Sequence, residues 1–198
     1  MVERKGELLD AAVTYLLDHG VANVSLRPMA AEIGTSARLL IFHFKSKERL
    51  LQEVFAEMQA RLQASFVIMT AAVGTSPGRV PPIKRFWHWA TTAENLPYFR
   101  LLYEVQIVAI QNPAEYARYL EKSSFDWLTL SERALSEAHR SKSMATLCIA
   151  VFDGLFLELL ATGDLPRLTR ALDRFIELAA EQRGAPRPAA RARRATAK

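Results

Sequence analysis

A single cysteine, Cys148, serves 198 residues. It can close no internal disulfide and build no cysteine metal cluster, so a reducing cytoplasm is the expected setting. No stretch alternates apolar and polar residues with a period of two, which argues against a sheet. There is no glycine-rich phosphate loop and no Gly-x-Ser-x-Gly elbow. None of the histidines His19, His43, His88 and His139 has a glutamate three residues before it, which removes the usual di-iron helix-bundle signature. No enzymatic function, metal or cofactor is therefore expected. The opening MVERKGELLD lacks an apolar signal core, and the apolar runs read as interrupted before spanning length, so no membrane segment is expected.

Positive charge is also scarce where the net value suggests it is plentiful. Of the formal +5, six charges (Arg183, Arg187, Arg191, Arg193, Arg194 and Lys198) lie after Glu181 with no acid among them, which leaves the body near −1. A uniformly basic surface is thus excluded. What remains is local: Arg38, Lys45, Lys47 and Arg49 against Glu48 alone. Such a cluster suits phosphate contacts, although a solvated face has the same composition.

What is present is helical periodicity. Residues 3–19 place Leu8, Leu9, Ala12, Val13, Leu16 and Leu17 on one side, and His19-Gly20 forms a plausible C-cap. From Leu26 to Lys47, LRPMAAEIGTSARLLIFHFKSK reads as two short helices about a tight turn. Ser25 is an N-cap candidate and Pro28 suits a first turn. Met29, Ala30 and Ile33 form an apolar face, and Gly34 supplies a left-handed C-terminus. Ser36 caps the second helix, which turns Leu40, Phe44 and Ile41 inward. Helix, glycine turn, helix is a helix-turn-helix, whose second helix can enter a major groove. Structural corners in helical proteins share this outline, so the pattern alone leaves both readings open.

Ser46 caps a long helix carrying Leu50, Leu51, Val54, Phe55, Met58, Leu62, Phe66 and Met69 to about residue 72, long enough to bridge two domains. GTSPGRVPP at 74–82 is the clearest break. Helices are then predicted over 83–94, from Pro97 to about 110, from Asn112-Pro113 to about 139, over 142–162, and from Asp164-Pro166 to about 181. The fold class is all-α, with a helix-turn-helix domain at 1–47, a helical domain at 48–184, and a disordered basic tail at 185–198.

RKGELLDAAVTYLLDHGVANVSLRPMAAEIGTSARLLIFHFKSKERLLQEV, roughly residues 4–55, resembles the DNA-binding domain of TetR-family transcriptional regulators. The shared features are a Gly-ended helix, a Ser-led helix, a Gly-x-Ser turn, a helix ending His-Phe, then Ser-Lys-Glu and Leu. DGLFLELLATGDLPRLTRALDRF resembles the family's last two helices. The resemblance implies a homodimer on a palindromic double-stranded operator, a small-molecule pocket in the C-terminal domain, and DNA release by the ligand. It places Ser36, His43 and Lys47 on the backbone side of a DNA interface, with Ser25, Arg27, Phe42 and Lys45 as further DNA-binding candidates. Ala37, Arg38 and Leu39 take the positions nearest base edges. Arg38 is a bidentate partner of guanine, a phosphate contact or a solvated side chain. The chain departs from the family pattern at Leu39, where many members have Thr or Ser, and at Ile41, where they have Tyr. Phe42 lacks a hydroxyl, so fewer polar base contacts are expected.

For the effector pocket, Trp87, Phe99, Tyr103, Phe125, Trp127, Met144 and Cys148 are the candidate walls, with Gln106, His88 or Glu104 supplying polarity. The same aromatics at helical spacing would also make an ordinary core. A mostly apolar effector is expected. The helix at 142–162 is apolar nearly all round, and Ala150 and Gly154 permit close approach of another helix. Val151, Leu155, Phe156 and Leu159 with Leu172, Phe175 and Ile176 are therefore candidates for a four-helix dimer interface. The competing reading is a ligand-independent architectural or protein-partner role on the same fold.

Overall fold

The computed structural model describes residues 2–71 and 80–181. Among them are nine α-helices and no strand: α1 (Val2–His19), α2 (Leu26–Glu32), α3 (Ala37–Phe44), α4 (Lys47–Ala71), α5 (Pro82–Ala90), α6 (Leu96–Gln111), α7 (Pro113–Ala134), α8 (Lys142–Thr162) and α9 (Leu165–Glu181). The tail at 185–198 and most of the 74–82 break lie outside the described residues.

Helix ends follow local chemistry with instructive exceptions. Gly20, Gly34 and Gly163 all take positive φ, the last as the C-cap of α8. Ser36 Oγ accepts the Leu39 N–H at 3.1 Å, and Ser46 Oγ accepts that of Arg49 at 3.1 Å. Ser25 precedes α2 in extended conformation but makes no side-chain cap bond. Asn112 does not cap α7 either; its Nδ2 donates backward to the Val108 carbonyl and closes α6. Two helices end short of the sequence estimate. α5 stops at Ala90, where Thr91 and Thr92 turn their hydroxyls onto the Trp87 and Trp89 carbonyls. α7 stops at Ala134, and a separate 3-10 turn covers Glu137–His139.

One core runs through the molecule. α1, α2 and α3 enclose Leu8, Ala12, Leu16, Met29, Ala30, Leu40 and Phe44. Ile41, expected inward, is 39% exposed, because Leu40 and Phe44 already fill the buried face. α4 belongs to both halves. From its second turn to its middle it holds α1 through the Lys5–Glu53 and Arg61–Asp10 ion pairs. Its opposite face meets α7, with Phe55 between Tyr116 and Tyr119 and Gln59 donating to Ser123 Oγ at 2.6 Å. Beyond it, α5, α6 and α8 pack a ring cluster of Phe86, Trp87, Phe99, Phe152 and Phe156.

α8 corrects the reading of its own sequence. It is long and apolar enough to cross a membrane by length and composition, with a mean hydropathy of 1.9. Asp153 and Glu158 interrupt the run without lowering its average below that level. It packs instead against α5, α7 and α9.

Candidate functional site

α3 is held by its buried residues and presents the others. Leu40 and Phe44 anchor it, while Arg38, Ile41, Phe42 and Lys45 face outward. Arg38 makes no ion pair among the described residues, so its guanidinium is available to a partner. Phe42 is 58% exposed, and the Lys45 ammonium stands 5.6 Å over its ring while donating to the Phe42 carbonyl at 3.1 Å. Lys45 itself ends α3 at φ 74°, a conformation that costs a non-glycine residue about 1–2 kcal/mol. Ser36 spends its oxygen on the cap, and its hydroxyl hydrogen can still be donated outward. His43 packs edge-on against Phe42 at 5.1 Å. Ala37 and Leu39 are half-buried against the core rather than fully presented. Ser25 and Arg27 are exposed at the start of α2, and Lys47 opens α4 half-buried.

This unit is braced from behind. Glu104 on α6 accepts the Val21 N–H at 3.0 Å, and Arg100 donates to the Leu17 carbonyl at 2.7 Å. Gly20 lies so close that a Cβ there would sit 2.6 Å from Glu104 Oε2. Glu104, considered above for pocket polarity, is thus committed to the α1–α2 turn. Below the turn, Val21, Asn23, Lys47, Glu48, Val108 and Tyr116 line part of a cavity of about 330 Å³ between the two halves. Burial and the neighbouring Glu115 carboxylate push the Tyr116 hydroxyl up to about 12, so it stays protonated.

The pocket candidates separate into groups. Trp87 and Phe99 are fully buried core, with Trp87 Nε1 donating to Thr169 Oγ1 at 2.9 Å. Trp127 joins them through Phe66 and Phe86, and Tyr103 through Phe156. Gln106 lies one turn along α6 from Tyr103, and Met144 and Cys148 are half-buried on α8. Burial pushes the Cys148 thiol up, which keeps it unreactive at neutral pH. Phe125 is not brought to this group: it is 67% exposed on the outer side of α7, by Arg118, Glu121 and Lys122. His88 is exposed.

Polar groups that sequence reasoning passed over lie between these helices. Gln59 Oε1, Gln63 Nε2, the Tyr119 hydroxyl, and Arg85 Nε and Nη2 are buried without hydrogen-bond partners. Tyr103 donates to Asp153 Oδ1 at 2.9 Å. The available signal was a glutamine pair on the apolar stripe of α4, and one acid in the apolar centre of α8. Of the interface candidates, Phe156, Leu159 and Leu172 are buried in the chain's own core, whereas Val151, Leu155, Phe175 and Ile176 are half-buried. The exposed stripe of α8 is instead Leu147, Ala150, Gly154, Leu157 and Ala161. No group of three or more metal-ligating side chains occurs among the described residues.

A braced, outward-facing helix-turn-helix on a larger helical body is the layout of a two-part helical protein. Residues 8–54 match the family model for bacterial regulatory proteins, tetR family. The nicotine-responsive transcriptional repressor HdnoR of Paenarthrobacter nicotinovorans is 25% identical over 186 residues, covering 89% of this chain and 93% of that protein. A regulator-like protein of Saccharomonospora viridis, solved with choline, superposes with a TM-score of 0.75 at 19% identity, over 89% of this chain and 97% of that one. The multidrug binding protein EbrR, solved with ethidium, gives 0.64 at 21% identity over 86% and 97%. Residues 8–54 are thus similar to the tetR-family model, and the chain as a whole shares the fold of these regulators.

Proposed function

We infer that this protein is a repressor that binds a palindromic operator as a homodimer and leaves it when a small molecule enters the C-terminal half. The observation that carries the DNA reading is the free, exposed Arg38 on a recognition helix inside the family-matched segment. Residues 1–47 read DNA, with Arg38 on a base edge and Ser25, Arg27, Ser36, His43, Lys45 and Lys47 on the backbone. Residues 48–184 hold the effector and the dimer contact, and the setting is cytoplasmic. Only 22% of the most apolar window of α8 is buried within one chain, which supports pairing through Leu147, Ala150, Gly154 and Leu157.

We assign the effector site to the neighbourhood of Tyr103, Gln106, Trp127, Met144 and Cys148, beside the ring cluster that contains Trp87 and Phe99. Relatives support a small nitrogen-containing organic molecule: HdnoR is nicotine-responsive, and the structures above hold choline and ethidium. A shift of α6 on ligand entry would pull on the Glu104–Val21 and Arg100–Leu17 bonds and so displace α1 and the recognition unit.

The test is selection of genomic fragments by the purified protein, followed by footprinting. A protected inverted repeat with half-sites about one helical turn apart is the expected result. Enrichment without sequence preference would overturn the operator reading.

A further inference from the structure

Asp153 is the one acid between Met144 and Leu157, and it sits half-buried on the side of α8 that faces α6. Its Oδ1 accepts the Tyr103 hydroxyl. No ion pair reaches it among the described residues. Lys84 pairs with Asp173 and Arg167 with Glu158 and Asp164, and Arg85 forms no ion pair with Asp153. Around it the surroundings are aromatic. Tyr103 lies 5.9 Å from Phe156, and Phe156 lies 5.4 Å from Phe152 and 4.7 Å from Phe99.

This combination selects among ligands. A carboxylate partly withdrawn from water without a counter-ion is unfavourable, and burial accordingly raises its pKa while the Tyr103 bond opposes the rise. Ring faces attract positive charge. An anion would be repelled by Asp153, and a neutral molecule would leave the carboxylate uncompensated. A cation with an apolar body satisfies both features at once. Tyr103 and Asp153 remain partly open to solvent, while Phe152 and Phe156 are buried.

We propose that the effector is an organic cation whose positive nitrogen pairs with Asp153 and lies against the Tyr103 ring. The proposal rests on the C-terminal half being the effector domain. It replaces the mostly apolar molecule suggested by sequence with an amphiphilic, positively charged one.

Three soluble probes sharing one ring test it by calorimetry on the full-length protein: benzyltrimethylammonium, benzyl alcohol and benzoate. The cation is expected to bind about tenfold tighter than the other two, and Asp153→Asn to remove that advantage. Glu158→Gln, an exposed carboxylate on the same helix, is expected to keep it. Equal affinities for cation and alcohol, no binding of the cation, or full cation affinity in D153N would overturn the proposal. Should D153N lose its helical circular dichroism, Tyr103→Leu carries the test: a severalfold loss for the cation supports the site, and an unchanged affinity overturns it. Operator binding is measured on the same wild-type preparation. Failure to bind any selected fragment counts against the regulator reading, whereas operator binding with no preference for the cation counts against this assignment alone.

Discussion

Gly20 shows how one residue ties two halves together. It adopts φ 73°, and the position its Cβ would take is occupied by Glu104 Oε2, which is itself held by the Val21 N–H. Gly20→Ala therefore meets two penalties, a left-handed backbone costing about 1–2 kcal/mol and displacement of the Glu104 bond. Denaturant unfolding of G20A should show a lowered midpoint, and an unchanged midpoint would contradict the bracing role. Asp153 makes a different prediction. Its folded-state pKa lies above the ordinary 3.8, so the native state holds its proton more tightly than the unfolded chain. The stability associated with that proton is present below 3.8 and is lost as pH rises through the folded value. D153N should therefore melt higher than wild type at neutral pH, with the difference closing in acid. Identical melting curves across the whole range would show that the carboxylate is fully compensated.

At the scale of elements, caps and stripes were legible in different degrees. Ser36, Ser46, Gly34 and Gly163 could be read from sequence because each satisfies its own helix end. Ser25 and Asn112 could not, since a hydroxyl or amide beside two candidate partners is assigned by tertiary placement; Asn112 bonds backward to α6. The recognition helix was legible because spacing alone decides which residues anchor it, apart from Ile41, displaced outward once Leu40 and Phe44 fill the core. The C-terminal half was less so. An aromatic at helical spacing reads the same whether it lines a site or fills a core, and Trp87, Phe99 and Phe125 illustrate two outcomes: the first two buried, the third on the outside. α8 raises the same difficulty for the dimer, because a helix apolar all round does not announce which side is covered within the chain. Its exposed side carries Leu157, 50% exposed. Leu157→Arg would place a charge in the middle of the proposed helix pair, and sedimentation at micromolar concentration should then shift from dimer to monomer. A dimer that survives L157R would move the interface to another face.

For the whole molecule, α4 and α6 run between the proposed reading and sensing sites. α4 begins with Lys47 beside the recognition helix and ends among the aromatics, and α6 carries both Glu104 at the α1–α2 turn and Tyr103 on the Asp153 side. Adjacent residues on one helix thus face the two sites, a short physical route for coupling. Its strength is bounded by the difference in effector affinity between the DNA-bound and free forms. The central claim is that α3 reads operator DNA, and it is tested most directly by a footprint titration of Arg38→Ala beside wild type on the selected operator. Loss of one base-edge contact of about 1–3 kcal/mol in each half-site predicts that protection requires at least tenfold more R38A protein, at both half-sites together. Protection by R38A at the wild-type concentration would mean that α3 does not read the sequence.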